Sequence, residues 1–463
     1  MSKTIFITIT RGFLVRNILR SGVLERLKQS GCKIVIFLQI AKGRDVPEYL
    51  REEFEDAQVV IEKIYPSAAN TLSERCYLFF VRWTSLLVYS DSTWAYSKAG
   101  NLNSRSRMWF WKHIERLIFS LVGRMHFLKG LVRFAEKKYF LSAPYAAYFD
   151  RYRPDLVFSS SITAGIDVAF LKEASRRGIK TVSMTKGWDH ATRVLYRFIP
   201  DRVIIQNDVM KDYLIHYQRI GAEKIRVCGF PQFDWYQKKD LLISREEYFR
   251  SLGLDPNRKM IFFGSEGAWS PHDDHIIATL AQFIETPGML TAPSCMLIRP
   301  HFSDSKAERF QQFRGREHIA VDEHIRYSDA LPCNWDPGMD EARHFVNLLY
   351  HCDISVNIAS TLTLDACCFD KPIIAVGFGA LRHLRSGRDV TGVYYEMDHY
   401  QDVLKTGAVD LVHSEQELLG SVNRCLLHPE HRRAERKILL DKLCYKVDGN
   451  SSKRIADEIL SLL

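Results

Sequence analysis

The stretch Asp353–Phe378, DISVNIASTLTLDACCFDKPIIAVGF, decides the fold. An apolar run ends at Ile358, the small and hydroxyl residues Ala359, Ser360 and Thr361 open a helical segment Leu362–Phe369, and a second β-branched run begins at Lys371. Strand, short turn, helix and strand form the unit of a parallel sheet covered by helices.

The same rhythm extends in both directions. Upstream lie MIFFGSE from Met260, CMLIRPHF from Cys295, HIAVDE from His318 and a helical pattern over Met339–His351. An earlier set begins with TIFITIT at Thr4 and continues through a helix Val15–Gln29, KIVIFLQI and DAQVVIEKI. It resumes at Asp155 with DLVFSSS, a helix Ile166–Arg177, KTVSMT, DRVIIQN, a helix Met210–Arg219 and IRVCGF. At 463 residues, with 46% hydrophobic residues, the chain exceeds what one core organises. The expectation is an α/β protein of two doubly wound, Rossmann-like halves facing a cleft. The boundary falls near Trp235, giving 1–235 with a helical insert at about 66–150, then 236–450, then a final helix 451–463.

Ten cysteines without a C-x-x-C pair read as reduced thiols. The strand-like opening lacks a charged segment followed by an apolar one, and no uncharged apolar run reaches the roughly 18 residues of a spanning helix. The chain is therefore expected in the cytoplasm. Its net charge of +9 is concentrated in 105–153, where Arg and Lys alternate with Trp109, Trp111, Phe119, Phe127 and Phe134. That composition suits a basic amphipathic surface lying on a membrane or meeting a lipid-linked acceptor. It equally suits a helix pair that buries its aromatics in the N-terminal core. No helix-turn-helix, zinc-finger or RNP-type signature supports nucleic acid.

In such sheets ligands bind beyond the carboxyl ends of strands, so the loops there hold the candidate site. Ser360 and Thr361 at a helix start leave backbone N–H groups for a phosphate, and Asp365, one turn on, suits ribose hydroxyls; the hydroxyls serve equally as helix caps. Arg299 and His301 follow the strand CMLI and suit a diphosphate. Gly264, Ser265, Glu266 and Gly267 form a third loop on this rim, with glycines that allow close approach to phosphate. Trp335 lies in a stretch that suits a base pocket. In the first half, Gly12 lets the backbone approach the donor, with Arg16 and Asn17 a turn further on. Lys186, Gly187, Trp188, Asp189 and His190 follow KTVSMT, and Asp189 or His190 is placed to take an acceptor proton. The run His272–His275 offers metal-ligand residue types, but adjacent residues diverge in direction, so no metal is expected there.

These segments carry a resemblance. LLYHCDISVNIASTLTLDACCFDKPIIAVGF with RPH upstream, TKGWDHAT, VCGFPQFDWY and CYKVDGNSSKRIADEIL resemble bacterial surface-polysaccharide glycosyltransferases of the GT-B superfamily. Those are distantly related to CDP-glycerol glycerophosphotransferases and UDP-GlcNAc 2-epimerases. The likeness runs from Asp155 to the C-terminus and includes TRGFLVRNILRSGVLERL. It implies two Rossmann-like domains, a last helix crossing back to the first, and Arg299, His301, Ser360 and Thr361 on the donor diphosphate with Asp365 toward the ribose. It implies no metal and no cofactor, the nucleotide-sugar being a substrate. The glycerophosphotransferases carry a Trp-His-Gly motif where this chain has Trp188, Asp189 and His190, which makes Asp189 the expected base and His190 the second choice. The expected function is inverting transfer of a sugar from a nucleotide donor to a lipid-linked or cell-surface glycan acceptor at the inner face of a bacterial membrane. A glycerophosphotransferase and a non-catalytic GT-B binding subunit are the alternatives.

Overall fold

In the computed structural model, which describes residues 2–66, 72–93, 95, 117–118, 121–123, 125–139, 145–304, 308–383 and 387–463, the strands sort into two sheets. The first holds β1 (Thr4–Ile9), β2 (Lys33–Gln39), β3 (Val59–Ile64), β4 (Leu156–Ser159), β5 (Lys180–Met184), β6 (Arg202–Ile205) and β7 (Ile225–Val227). The second holds β8 (Lys259–Gly264), β9 (Ser294–Arg299), β10 (Ile319–Val321), β11 (Ile354–Asn357), β12 (Ile373–Val376) and β13 (Asp410–Val412). All strand pairs are parallel, as in Ile5 beside both Ile34 and Leu156. Every residue of β1, β4, β11 and β12 is buried, which explains why these strands read as unbroken apolar runs rather than alternating ones.

The strand orders are β3-β2-β1-β4-β5-β6-β7 and β10-β9-β8-β11-β12-β13. Apart from β7 at its edge, the first sheet has the order of the second, and both match the order of the dinucleotide-binding fold. The chain reverses its winding between β1 and β4 and again between β8 and β11. At each reversal the flanking helices part and leave a crevice beyond the carboxyl ends of the strands.

Three local features differ from or add to the sequence reading. The periodic pattern over Val15–Gln29 predicts one helix, but Gly22 adopts φ +108° and splits it. The π-helical turn Val15–Arg20 precedes the break and Val23–Gln29 follows it. Within the charged stretch 238–259 an α-helix forms only over Arg245–Ser251, where the Ser244 hydroxyl accepts from the Glu247 N–H at 3.2 Å. Strand β13 carried too little apolar signal to predict. It is three residues long and begins at Asp410, whose carboxylate is occupied by Ser421 at 2.6 Å and His431 at 3.2 Å.

The C-terminal helix Ser451–Leu460 packs on the first half. Asp234 accepts the N–H groups of Ser451 and Ser452 at 2.9 and 2.7 Å, capping the helix from the other end of the chain. Ile455, Ala456 and Ile459 then enter the core shared by β1, β2 and Val23–Gln29. The two halves also meet directly at the cleft. Arg20, which also pairs with Glu53 of its own half at 2.7 Å, reaches Asp336 at 2.5 Å, and the Ala41 N–H donates to the Ala330 carbonyl at 2.8 Å.

Within the insert, helices Leu72–Ser85 and His126–Tyr139 are fastened by Glu136. This fully buried carboxylate accepts from Lys172, Arg197 and Tyr77 at 2.7, 2.8 and 2.9 Å. Lys129 and Arg133 also turn inward and donate to the carbonyls of Tyr217 and Tyr196. Lys129 and Arg133 therefore point at the protein, whereas Lys137 and Lys138 are exposed, as are Phe127, Leu131 and Phe134. Of the aromatics weighed for core packing, Phe127 and Phe134 face outward. Trp109, Trp111 and Phe119 lie outside the described residues. No helix among those described is long and apolar enough to cross a membrane.

Candidate active site

A cavity of about 450 Å³ lies where the carboxyl ends of the two sheets face each other. From the first half it is lined by the π-helical turn after β1 and the loop after β5; from the second, by the loops after β8, β9 and β11. Eight of the ten sequence-predicted site residues line it: Asp189, His190, Ser265, Arg299, His301, Ser360, Thr361 and Asp365.

Gly12 and Gly264 do not line it, and their role is corrected. A Cβ on Gly12 would stand 1.5 Å from the Trp335 carbonyl oxygen, and one on Gly264 would stand 2.1 Å from a Leu362 methyl. Each glycine admits a neighbouring part of the protein rather than a ligand, and Gly12 is where the two halves touch. The glycine that lines the cavity is Gly187, and Gly267 stands behind the wall against His301. Gly267 has φ +60°, and a Cβ there would strike Ser303 and His301.

Arg299 lines the cavity but is already paired. Its guanidinium is buried between Asp322 and Glu341, 2.7 Å from the latter, so its charge is already neutralised. The cations that lack a carboxylate partner are Arg16 and Lys186, both lining the cavity. Neither forms an ion pair among the described residues. Arg16 donates to the Asn17 amide oxygen at 2.9 Å and lies 5.5 Å from the Trp335 ring centroid. Burial lowers the pKa of both cations, an effect that bound negative charge would reverse.

The loop after β11 uses its hydroxyls internally. Ser360 Oγ accepts from the Leu362 N–H at 3.2 Å, and Thr361 Oγ accepts from the Trp188 indole at 3.1 Å, across the cleft. Asp365 accepts from the Tyr236 hydroxyl at 2.5 Å. Burial pushes its carboxyl up to about 6, against the opposing hydrogen bond and Arg16. His301 is held neutral by burial, its pKa lowered to about 4. Its Nδ1 accepts from the Ser303 N–H at 3.2 Å, which assigns the ring proton to Nε2.

The expected base changes character in the structure. Burial works to raise Asp189, but Arg193 at 2.8 Å, with His190 and His399, outweighs it and holds the carboxyl well below the usual range. A carboxylate so stabilised has little affinity for a proton. His190 is driven down to about 3 by burial, and its Nδ1 has no hydrogen-bond partner. Glu266 behaves in the opposite way. Burial pushes it up to about 7, with Asp273 adding to the shift and a Ser360 hydrogen bond opposing it. It sits immediately beyond β8, at the reversal between β8 and β11. Sequence reading stopped at the glycines and serine of this loop, because the shift comes from residues distant in the chain.

No family model and no curated protein matches the chain. Solved structures match over nearly its whole length. A UDP-GlcNAc 2-epimerase from Neisseria meningitidis, bound to UDP-GlcNAc, is 14% identical, with 100% of each chain covered and a TM-score of 0.53. A glycosyltransferase from Rickettsia africae ESF-5 is 12% identical, with 99% of each chain covered and a TM-score of 0.50. The wall teichoic acid polymerase TagF, in a variant soaked with CDPG, is 11% identical, with 99% of this chain and 88% of that chain covered and a TM-score of 0.52. Two parallel sheets of matching strand order, facing each other across a cleft, place this chain in the GT-B fold.

Proposed function

We propose that the protein is a glycosyltransferase that moves a sugar from a nucleoside-diphosphate donor to a hydroxyl acceptor, with inversion and without a catalytic metal or cofactor. The observation that carries this reading is the presence, in one cavity, of two cations that form no ion pair among the described residues and of a carboxyl that burial pushes up to about 7. Arg16, Lys186 and the Nε2–H of His301 suit a diphosphate, and Asp365 with Tyr236 suits the ribose. Glu266 is matched to accept a proton at neutral pH. In the proposed step the acceptor oxygen attacks the anomeric carbon while its proton passes to Glu266. The new C–O bond forms as the bond from that carbon to the phosphate oxygen breaks, and the electron pair leaves on the nucleoside diphosphate. A single base and no covalent intermediate give inversion.

The acceptor proposed is lipid-linked or part of a cell-surface glycan, met at the inner face of a membrane. Support comes from the helix His126–Tyr139, whose apolar residues Phe127, Leu131 and Phe134 share an exposed face, with Lys137 and Lys138 exposed at its end while Lys129 and Arg133 turn inward. Leu78, Phe79 and Trp83 on Leu72–Ser85 are exposed as well.

Transfer of glycerol phosphate from CDP-glycerol is a second reading. Its support is the neutral His190 in the cavity, two residues after Trp188, although Asp189 stands where the glycerophosphotransferases carry their histidine. Melting the purified protein with UDP, GDP, CDP, TDP and CMP, and identifying the nucleotide released on turnover, separates the two. Stabilisation by one nucleoside diphosphate and its release support glycosyl transfer; release of CMP would replace it with phosphotransfer. Arg16→Ala should weaken nucleoside-diphosphate binding by roughly tenfold or more. Unchanged affinity would remove Arg16 from the donor site.

A further inference from the structure

Behind Arg299, outside the cavity, three ligand atoms converge. Asp322 follows β10, His324 lies two residues on, and His344 comes from the helix Met339–His351. Asp322 Oδ1 stands 3.0 Å from His324 Nδ1 and 3.2 Å from His344 Nε2, and all three atoms lie within 4.8 Å of one another. The two imidazoles stack with centroids 3.8 Å apart and planes 10° apart. His344 is 7% exposed, yet its Nε2 has no hydrogen-bond partner; its approach to Asp322 has the distance of a hydrogen bond without the angle. A buried nitrogen aimed at a carboxylate without bonding to it is costly unless something lies between them. Charge points the same way. Asp322 and Glu341 bring two negative charges to Arg299, which supplies one positive charge.

We propose that Asp322 Oδ1, His324 Nδ1 and His344 Nε2 bind one divalent transition-metal ion with zinc's preference for imidazole and carboxylate. Bonds of about 2.0–2.1 Å in a tetrahedron separate neighbouring ligands by roughly 3.3 Å, close to the 3.0 and 3.2 Å from Asp322 Oδ1 to the two imidazoles. Asp322 and His344 are packed in place, whereas His324 is half exposed and free to tilt from the stack until both nitrogens face the ion. Water fills the fourth position from the open side of His324. The ion clamps the loop after β10 to the helix Met339–His351, and through Asp322 it orients Arg299 at the cavity wall. It takes no part in neutralising the donor.

The test is a titration of the full-length, chelator-stripped protein with Co²⁺ alone, read by the visible absorption of tetrahedral cobalt and by competition with Zn²⁺. One equivalent should bind with that spectrum and be displaced by Zn²⁺. His324→Phe keeps a ring stacked on His344 but offers no ligand atom, and it should lower Co²⁺ affinity by about 100-fold or more. His324→Ala, with its metal-free melting temperature compared to that of the parent, separates loss of a ligand from loss of fold. His272→Ala, at the other histidine pair, should leave binding unchanged. The proposal is overturned if the parent shows no saturable tetrahedral band, if both His324 variants retain it, or if His272→Ala removes it.

Discussion

Replacing Glu266 by Gln should raise the melting temperature above neutral pH and leave it unchanged in mild acid. In the folded protein the Glu266 carboxyl is pushed up from 4.5 to about 7, chiefly by burial. Below the lower value the group is neutral in both states and adds nothing. Between the two values the unfolded chain releases its proton while the folded one keeps it, so stability falls as pH rises; above about 7 the full cost of the buried charge is present. A gap of about 2.5 at 1.36 kcal/mol per unit of pKa gives about 3 kcal/mol, and water in the open cleft screens this to roughly 1–3 kcal/mol. Gln keeps the shape and still accepts from Ser360, but it carries no charge to desolvate. For a half of about 200 residues the gain corresponds to roughly 2–4 °C per kcal/mol. The assay is thermal melting of both proteins from about pH 5 to about pH 8.5, which requires no knowledge of the substrate. An offset between variant and parent that stays constant across this range would show that Glu266 titrates normally, and the argument for it as a base would fail.

Three further outcomes are expected. Glu266→Gln should lower turnover by about 10²–10⁴ and abolish the limb of the pH–rate profile near 7, whereas Asp189→Asn should weaken the protein but keep that limb; loss of the limb in Asp189→Asn instead would return the base to Asp189. Gly12→Ala should destabilise the protein at every pH, since its Cβ would lie 1.5 Å from a backbone oxygen that cannot step aside; unchanged melting would mean that the halves separate there without cost. Changing Phe127, Leu131 and Phe134 together to Ser should reduce co-sedimentation with anionic liposomes while leaving melting unaltered, because all three are exposed; equal sedimentation would remove this face from any membrane contact.

The fold was legible because its signal is local. Buried parallel strands announce themselves as apolar runs, and β1, β8 and β11 could be read without knowing what they pair with. Where the local signal was weak or interrupted, reading failed: β13 has three residues beginning with Asp410, and the helix from Val15 breaks at Gly22 through a left-handed conformation that one glycine in a periodic stretch does not reveal. The strand order, on which the position of the cavity depends, is a property of pairing between distant segments, and the sequence pattern only narrows it.

The site was legible at the level of loops and not at the level of charge. Topology directs attention to the segments after β1, β5, β8, β9 and β11, and most residues chosen there do line the cavity. Their chemistry is decided by partners that no motif contains. Arg299 reads in sequence as a cation for the donor, and Asp322 and Glu341, 23 and 42 positions away, already pair with it in the fold. Asp189 looked like a base until Arg193 was found beside it. Nothing local in the sequence marks Glu266 or Arg16, and the roles proposed for them follow from what they lack: water around the one, an ion-paired carboxylate on the other. A carboxylate with a close cation is stabilised as an anion and resists protons; one that is buried without such a partner takes them. In the proposed reading the residues that act in this cleft are the titratable groups left without a close partner of opposite charge, and a diphosphate donor with a hydroxyl acceptor would supply the compensation each of them is missing.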